Sequence, residues 1–193
     1  MFILEVTLMN PPNTSREEIM RVSRKIVSEK GLPALNMRAL AKECGIALGT
    51  LYNYYSDKDE LVVAAIESVW QDILEKSAPD SGVRFSQYVM HIYARILSGL
   101  KDYPDFFAAH SISVAGSAKG KARGTMERCF GKIRGELHAA LREDKNVDRS
   151  IFSETFREED LIEHILDTIT ISIINGKPDC SVLTEILDRL LYR

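Results

Sequence analysis

Between Gly45 and Lys58 the chain reads Gly45-Ile46-Ala47-Leu48-Gly49-Thr50-Leu51-Tyr52-Asn53-Tyr54-Tyr55-Ser56-Asp57-Lys58. Thr50, Tyr52, Asn53 and Tyr54 bring hydroxyl and amide groups into a stretch with little other bulk, and Lys58 adds a cation. Such side chains, together with backbone N–H groups at helix N-termini, are the usual partners of phosphate oxygens. The same residues would also serve as an aromatic-rich packing surface, and residue types alone leave both readings open. No other set is spaced for bond-making chemistry. Gly116-Ser117-Ala118-Lys119-Gly120-Lys121-Ala122 falls short of a phosphate loop: one residue is missing between the glycines, and Ala122 replaces Ser or Thr. His91, His110, His138 and His164 are far apart, with no pair at metal-ligand spacing. Cys44, Cys129 and Cys180 are scattered and odd in number, which argues against disulfides and zinc. Neither a cofactor nor a metal is expected, and the chain is not read as an enzyme.

The elements that must position those residues are helices. Ile19, Val22, Ile26 and Val27 form an apolar stripe behind Ser15 and Glu18, a capping box, and Gly31 with Pro33 ends that helix. Asn36 to Cys44 and Leu48 to Tyr55 are short helical segments separated by Gly45, the dimensions of a helix-turn-helix. Ala41 allows a steep crossing, Gly45 supplies the left-handed turn, and Ile46, Leu51 and Tyr55 point inward. Ser56 is expected to open a long helix to about Lys76. Further amphipathic helices follow over Phe85–Leu100, from Phe106 to Val114, and from Met126 to Leu141. Thr155 with Glu158 is read as a second capping box before Leu161–Ile174, and Ser181–Leu191 closes the chain. Thr168–Ile173 alternates like a strand, but the unbroken row Leu161, Ile165, Ile169 and Ile173 favours helix. His91 and Arg95 read as a solvated face. The fold class is therefore all-α: an N-terminal three-helix helix-turn-helix domain, then a larger helical domain.

Residues 45–61, with Met37-Arg38-Ala39-Leu40-Ala41 upstream, resemble the DNA-binding domain of the TetR/AcrR repressors. The resemblance covers roughly residues 13–66. It implies a DNA-binding domain over 13–60 and a ligand-binding and dimerisation domain over 61–193, while Met9 before Asn10-Pro11-Pro12 marks residues 1–12 as an extension. It further implies that Tyr52, Tyr54 and Lys58 contact phosphates, and that Thr50 and Asn53 approach phosphate or base edges. Asn36 would cap the second helix near the DNA backbone, with Arg38, Leu48 and Gly49 on the same DNA-facing surface. Two residues depart from the family pattern: Ala47 replaces a capping Ser or Thr, and Leu48 replaces a polar residue, offering an apolar contact such as a thymine methyl. The function expected is a transcriptional regulator, a repressor released from operator DNA by a small molecule. The alternatives are a helical homodimer with no DNA role, or a small helical enzyme without a recognisable motif.

The second domain supplies the partner expectations. Trp70, Tyr93, Phe107, His110, Met126 and Phe130 are each read singly as core. Together they make an interior suited to an apolar or aromatic effector. Leu161, Ile165, Ile169 and Ile173, with Val182, Leu183, Ile186, Leu187 and Leu190, make two helices apolar enough to pair with a second copy. A terminal helix folding back on its own domain is the other reading. The chain has 193 residues and a formal net charge of −3, which excludes a histone-like, bulk-basic binder. Residues 13–66 carry 8 basic and 7 acidic groups; residues 67–193 carry 17 and 20. Recognition of DNA must then rest on local placement, with a shallow salt dependence. No membrane span and no secretory leader are read, and a reducing cytoplasm suits the cysteines.

Overall fold

The computed structural model describes residues 14–75, 82–106 and 119–192. Among the described residues eight α-helices follow in order: α1 Arg16–Lys30, α2 Met37–Glu43, α3 Leu48–Tyr52, α4 Lys58–Glu75, α5 Phe85–Lys101, α6 Lys119–Glu143, α7 Glu158–Ile174 and α8 Ser181–Leu191. Among the described residues there is no strand, only an isolated bridge between Ser153 and Phe156. The alternating run Thr168–Ile173 lies inside α7. There the Thr168 and Thr170 hydroxyls donate to the carbonyls of His164 and Leu166, both at 2.8 Å, within the helix itself.

Local capping chemistry explains where the helices begin. Ser15 Oγ accepts from the Glu18 N–H at 3.1 Å, and Asn36 Oδ1 accepts from the Ala39 N–H at 3.0 Å. The Ser15 box is half made, because the Glu18 carboxylate turns to Arg21 at 2.6 Å. α4 starts one residue later than Ser56 suggested. Asp57 Oδ1 takes the Glu60 N–H at 2.7 Å, while the Glu60 carboxylate returns to the Ser56 N–H at 2.7 Å. Likewise Thr155 does not cap α7. The bridge at Ser153–Phe156 holds it in a turn, and Asp160 closes on the Arg157 N–H at 3.0 Å instead.

One apolar core runs from Ile19 in α1 to Leu191 in α8. α4 is the element common to both ends: it packs on α1, and also on α5 and α6. Its crossing with α5 is tight, since a Cβ on Gly99 would lie 2.7 Å from Ile73 Cγ2. Arg95 is not on a solvated face. It is buried in α5 and paired with Glu136 of α6 at 2.5 Å, while His91 is exposed. The far end of the bundle is tied by Asp144, whose Oδ2 accepts from the Tyr192 hydroxyl at 2.6 Å and the Phe85 N–H at 2.8 Å. The expected extension over 1–12, the helix beyond Phe106, and Gly116–Ala118 of the expected connector lie outside the described residues; Lys119 and Gly120 already belong to α6.

Candidate nucleic-acid interface

The head of the molecule is assembled from α1, α2 and α3. Gly45 takes φ 66°, the left-handed region open to glycine, and its N–H donates to the Lys42 carbonyl at 3.1 Å. The chain then doubles back through the Ile46 N–H to the Ala41 carbonyl at 3.0 Å. Leu40, Ala41, Leu51 and Tyr55 are buried beneath the turn, and Leu51 anchors the inner face of α3. Arg16 of α1 lies 5.2 Å from the centre of the Tyr55 ring and covers it. Ala47 provides no side-chain cap for α3, in keeping with its departure from the family pattern.

What remains faces outward. Asn36, Arg38, Gly49, Tyr52, Asn53 and Lys58 are exposed, with Tyr52 50% accessible. Leu48, Thr50 and Tyr54 are half-buried, and Leu48 and Tyr54 pack partly against the core. The two neighbouring tyrosines differ. Tyr54 donates its hydroxyl to the Thr14 carbonyl, tying the segment after α3 to the residues before α1, whereas among the described residues Tyr52 has no hydrogen-bond partner. Thr14 carried no sequence signal for this contact, which joins residues 40 positions apart.

The near-zero charge of the head hides an uneven distribution. Five of its seven carboxylates are engaged: Glu18 with Arg21, Glu29 with Lys25, Glu43 with Lys30, and Asp57 and Glu60 in the α4 cap. Bonds from the Ser56 N–H and hydroxyl hold Glu60 below the usual carboxylate range, so it stays ionised. Among the described residues no ion pair uses Arg38, Lys42 or Lys58. The outward face is therefore polar, and it carries the Arg38, Lys42 and Lys58 cations together with the exposed Tyr52.

In the larger domain, the six aromatic- and sulfur-bearing residues singled out above are placed unevenly. Trp70 is buried, with its ring 6.1 Å from Phe106 and 6.4 Å from Phe130. Tyr93 is buried as well and gives its hydroxyl to the Lys177 carbonyl at 2.8 Å. Phe107, His110 and the Met126 side chain lie outside the described residues. At the other end, Leu161, Ile165, Ile169, Leu183 and Leu187 are buried within the chain and Ile173 is half-buried. Val182, Ile186 and Leu190 are exposed, with Val182 74% accessible. They rim an apolar groove of about 440 Å³ between α7 and α8. Ile171 and Ile174 are exposed too and lie outside the expected set; for Ile171 its place in the β-branched run was the available signal. Among the described residues no group of three or more His, Cys, Asp or Glu is placed to hold a metal. No helix there is long and apolar enough to cross a membrane.

Residues 19–65 match the sequence model of bacterial regulatory proteins, tetR family. A stretch of 99 residues is 32% identical to an uncharacterised HTH-type transcriptional regulator from Haemophilus influenzae, covering 45% of this chain and 53% of the relative. A stretch of 77 residues is 32% identical to the HTH-type transcriptional regulator UidR of Escherichia coli, covering 39% of each. The chain thus spans about half, or less, of the length of these relatives. In three dimensions it resembles the multidrug binding protein EbrR, solved with proflavin, at a TM-score of 0.61 and 15% identity. That likeness covers 91% of this chain and 98% of the other, and it extends the shared fold through the second domain.

Proposed function

We propose, on the premise that this chain's N-terminal domain belongs to the tetR family of bacterial regulatory proteins, that the protein is a homodimeric, DNA-binding transcriptional regulator. The observation that carries the reading is the outward face of the head. Gly49, Tyr52, Asn53 and Lys58 are exposed together on a helix-turn-helix whose inner face is fully buried. Tyr52 and Lys58 hold phosphates, while Thr50, Asn53 and Leu48 approach the base edges in the major groove. Asn36 and Arg38 flank them on the backbone. Tyr54 acts from behind, through its bond to Thr14, more than on phosphate.

Two heads reach successive major grooves only if two copies associate with their recognition helices about 34–36 Å apart. The exposed apolar rim of Val182, Ile186 and Leu190 on α8 is the surface we assign to that association. A small molecule bound in the larger domain changes the spacing and releases the operator, provided it binds the two spacings with different affinity. EbrR was solved with a planar aromatic cation, proflavin, and the Trp70, Phe106 and Phe130 cluster suits an aromatic effector of that kind. On this reading the protein acts in the cytoplasm, where its operator DNA lies. No observation favours the enzyme alternative. Footprinting on the DNA flanking the protein's own gene tests the reading: a protected, pseudo-palindromic, salt-sensitive site is expected, and its absence across that DNA refutes the operator claim.

A further inference from the structure

The head is joined to the body by more than packing on α4. Arg24 and Ser28 lie four residues apart on α1 and so share one face, about 6 Å along the helix axis. Ser28 Oγ donates to the carbonyl of Asp102 at 2.7 Å, in the turn that ends α5. Arg24 donates to Ser68 Oγ at 2.5 Å and stands 3.9 Å from the Asp72 carboxylate, both on α4. That carboxylate in turn accepts the Tyr103 hydroxyl at 2.8 Å. Tyr103 is buried, its ring 6.2 Å from that of Phe106, which is itself 6.1 Å from Trp70. The Asp102–Tyr103 turn therefore reaches α1 twice: once directly at Ser28, once through Asp72 at Arg24.

Two fixed points on one helix set its direction, whereas one sets only its position. Ridge-into-groove packing sets the crossing angle of α1 on α4 only to within about 15–20°. Hydrogen bonds with fixed donors and acceptors stiffen it. We propose that the Asp102–Tyr103 turn is a two-point latch that fixes the angle of α1 on the body, with Ser28, Arg24 and Asp72 as positioning residues. Because α1 packs on α2, and α2 on α3, the latch sets how far apart a dimer holds its recognition helices. The last step rests on the regulator reading above; the latch itself does not.

The test pairs Ser28→Ala with Tyr103→Phe, changes that remove both hydroxyls and keep the Tyr103 ring. Tyr103→Phe alone is the milder second variant. In DNA-free protein, hydrogen exchange at the amides from Ser28 to Gly31 is expected to quicken about tenfold, with those from Leu51 to Tyr55 unchanged. Unchanged exchange at α1, or an equal rise in both segments, overturns the latch. On operators with one base pair inserted or removed between half-sites, the variant's preference for the native spacing is expected to fall about tenfold. A spacing preference equal to that of the unmodified protein overturns the claim that the latch sets half-site separation. Failure of the unmodified protein to bind any DNA refutes the regulator reading, and the exchange arm still decides the latch.

Discussion

Tyr52 and Tyr54 show how much one hydroxyl's direction decides. The Tyr52 ring projects from α3 into solvent, so its loss touches no core. Tyr52→Ala is expected to weaken operator binding at least tenfold, while the melting temperature stays within about 2 °C of the unmodified protein. Tyr54→Phe is the opposite case: it removes the bond to Thr14 and is expected to cost about 0.5–1.5 kcal/mol in denaturant titration, with a smaller change in DNA affinity. Equal behaviour of the two variants would contradict the asymmetry. At the other end of the molecule, burial pushes the Asp144 carboxyl up. Its bonds from the Tyr192 hydroxyl and the Phe85 and Asn146 N–H groups outweigh that and hold it below its ordinary 3.8. A depressed carboxylate stabilises the fold above its unfolded value and ceases to do so as pH falls through the folded one. Acid titration of stability should therefore show a loss that begins near pH 3.8 and continues below it, and Asp144→Asn should flatten that limb. Burial also pushes the Cys180 thiol up to about 11, which predicts a slow reaction with alkylating agents at neutral pH.

Among elements, the α4–α5 crossing is the least forgiving contact. Gly99→Ala places a methyl 2.7 Å from Ile73 Cγ2 between two helices that cannot easily separate, and overpacking of this sort costs about 1–3 kcal/mol. Calorimetry should register it as a lowered melting temperature, and an unchanged value would mean that the crossing is looser than drawn. Helix existence and periodicity were legible in the residues, because burial on one face leaves a 3.6-residue trace. The Asn36 cap and the Gly45 turn were legible for the same local reason. The Ser56 and Thr155 caps are displaced by one and two residues, since Asp57 takes the Glu60 N–H and the Ser153–Phe156 bridge holds Thr155 in a turn. Arg95 was misplaced because its partner, Glu136, stands 41 residues away on another helix, and no spacing rule reaches that far. Of the outward face of the head, most was readable; the inward turn of Tyr54 was not, and for the same reason. The latch between α1 and the Asp102 turn joins residues 74 apart and left no trace at all.

For the whole molecule, two measurements follow from shape and charge. Val182→Asp with Ile186→Asp places charges on side chains that are 74% and 55% accessible in the single chain, so the monomer fold should persist. Sedimentation is expected to show a shift from dimer to monomer with helical content retained, and operator affinity should collapse with it. A dimer that survives both changes would move the interface elsewhere. Salt dependence tests the charge distribution. With Arg38 and Lys58 as the cations of each head facing phosphate, a dimer releases few counterions, and the slope of log affinity against log salt should be about −4. A slope near that of strongly basic binders would mean that other cations reach the DNA.

α4 begins in the cap beside the recognition segment and ends beside the aromatic cluster of the body, a single rod of 18 residues owned by both halves. Ancestry and engineering meet a constraint there. Heads cannot be exchanged between relatives like beads on a string, because a junction at residue 60 grafts a foreign cap onto a native rod and separates Arg24 from Ser68 and Asp72. A workable chimera carries α1 and the whole of α4 together, and accepts a foreign surface toward α5 as the seam to be repaired.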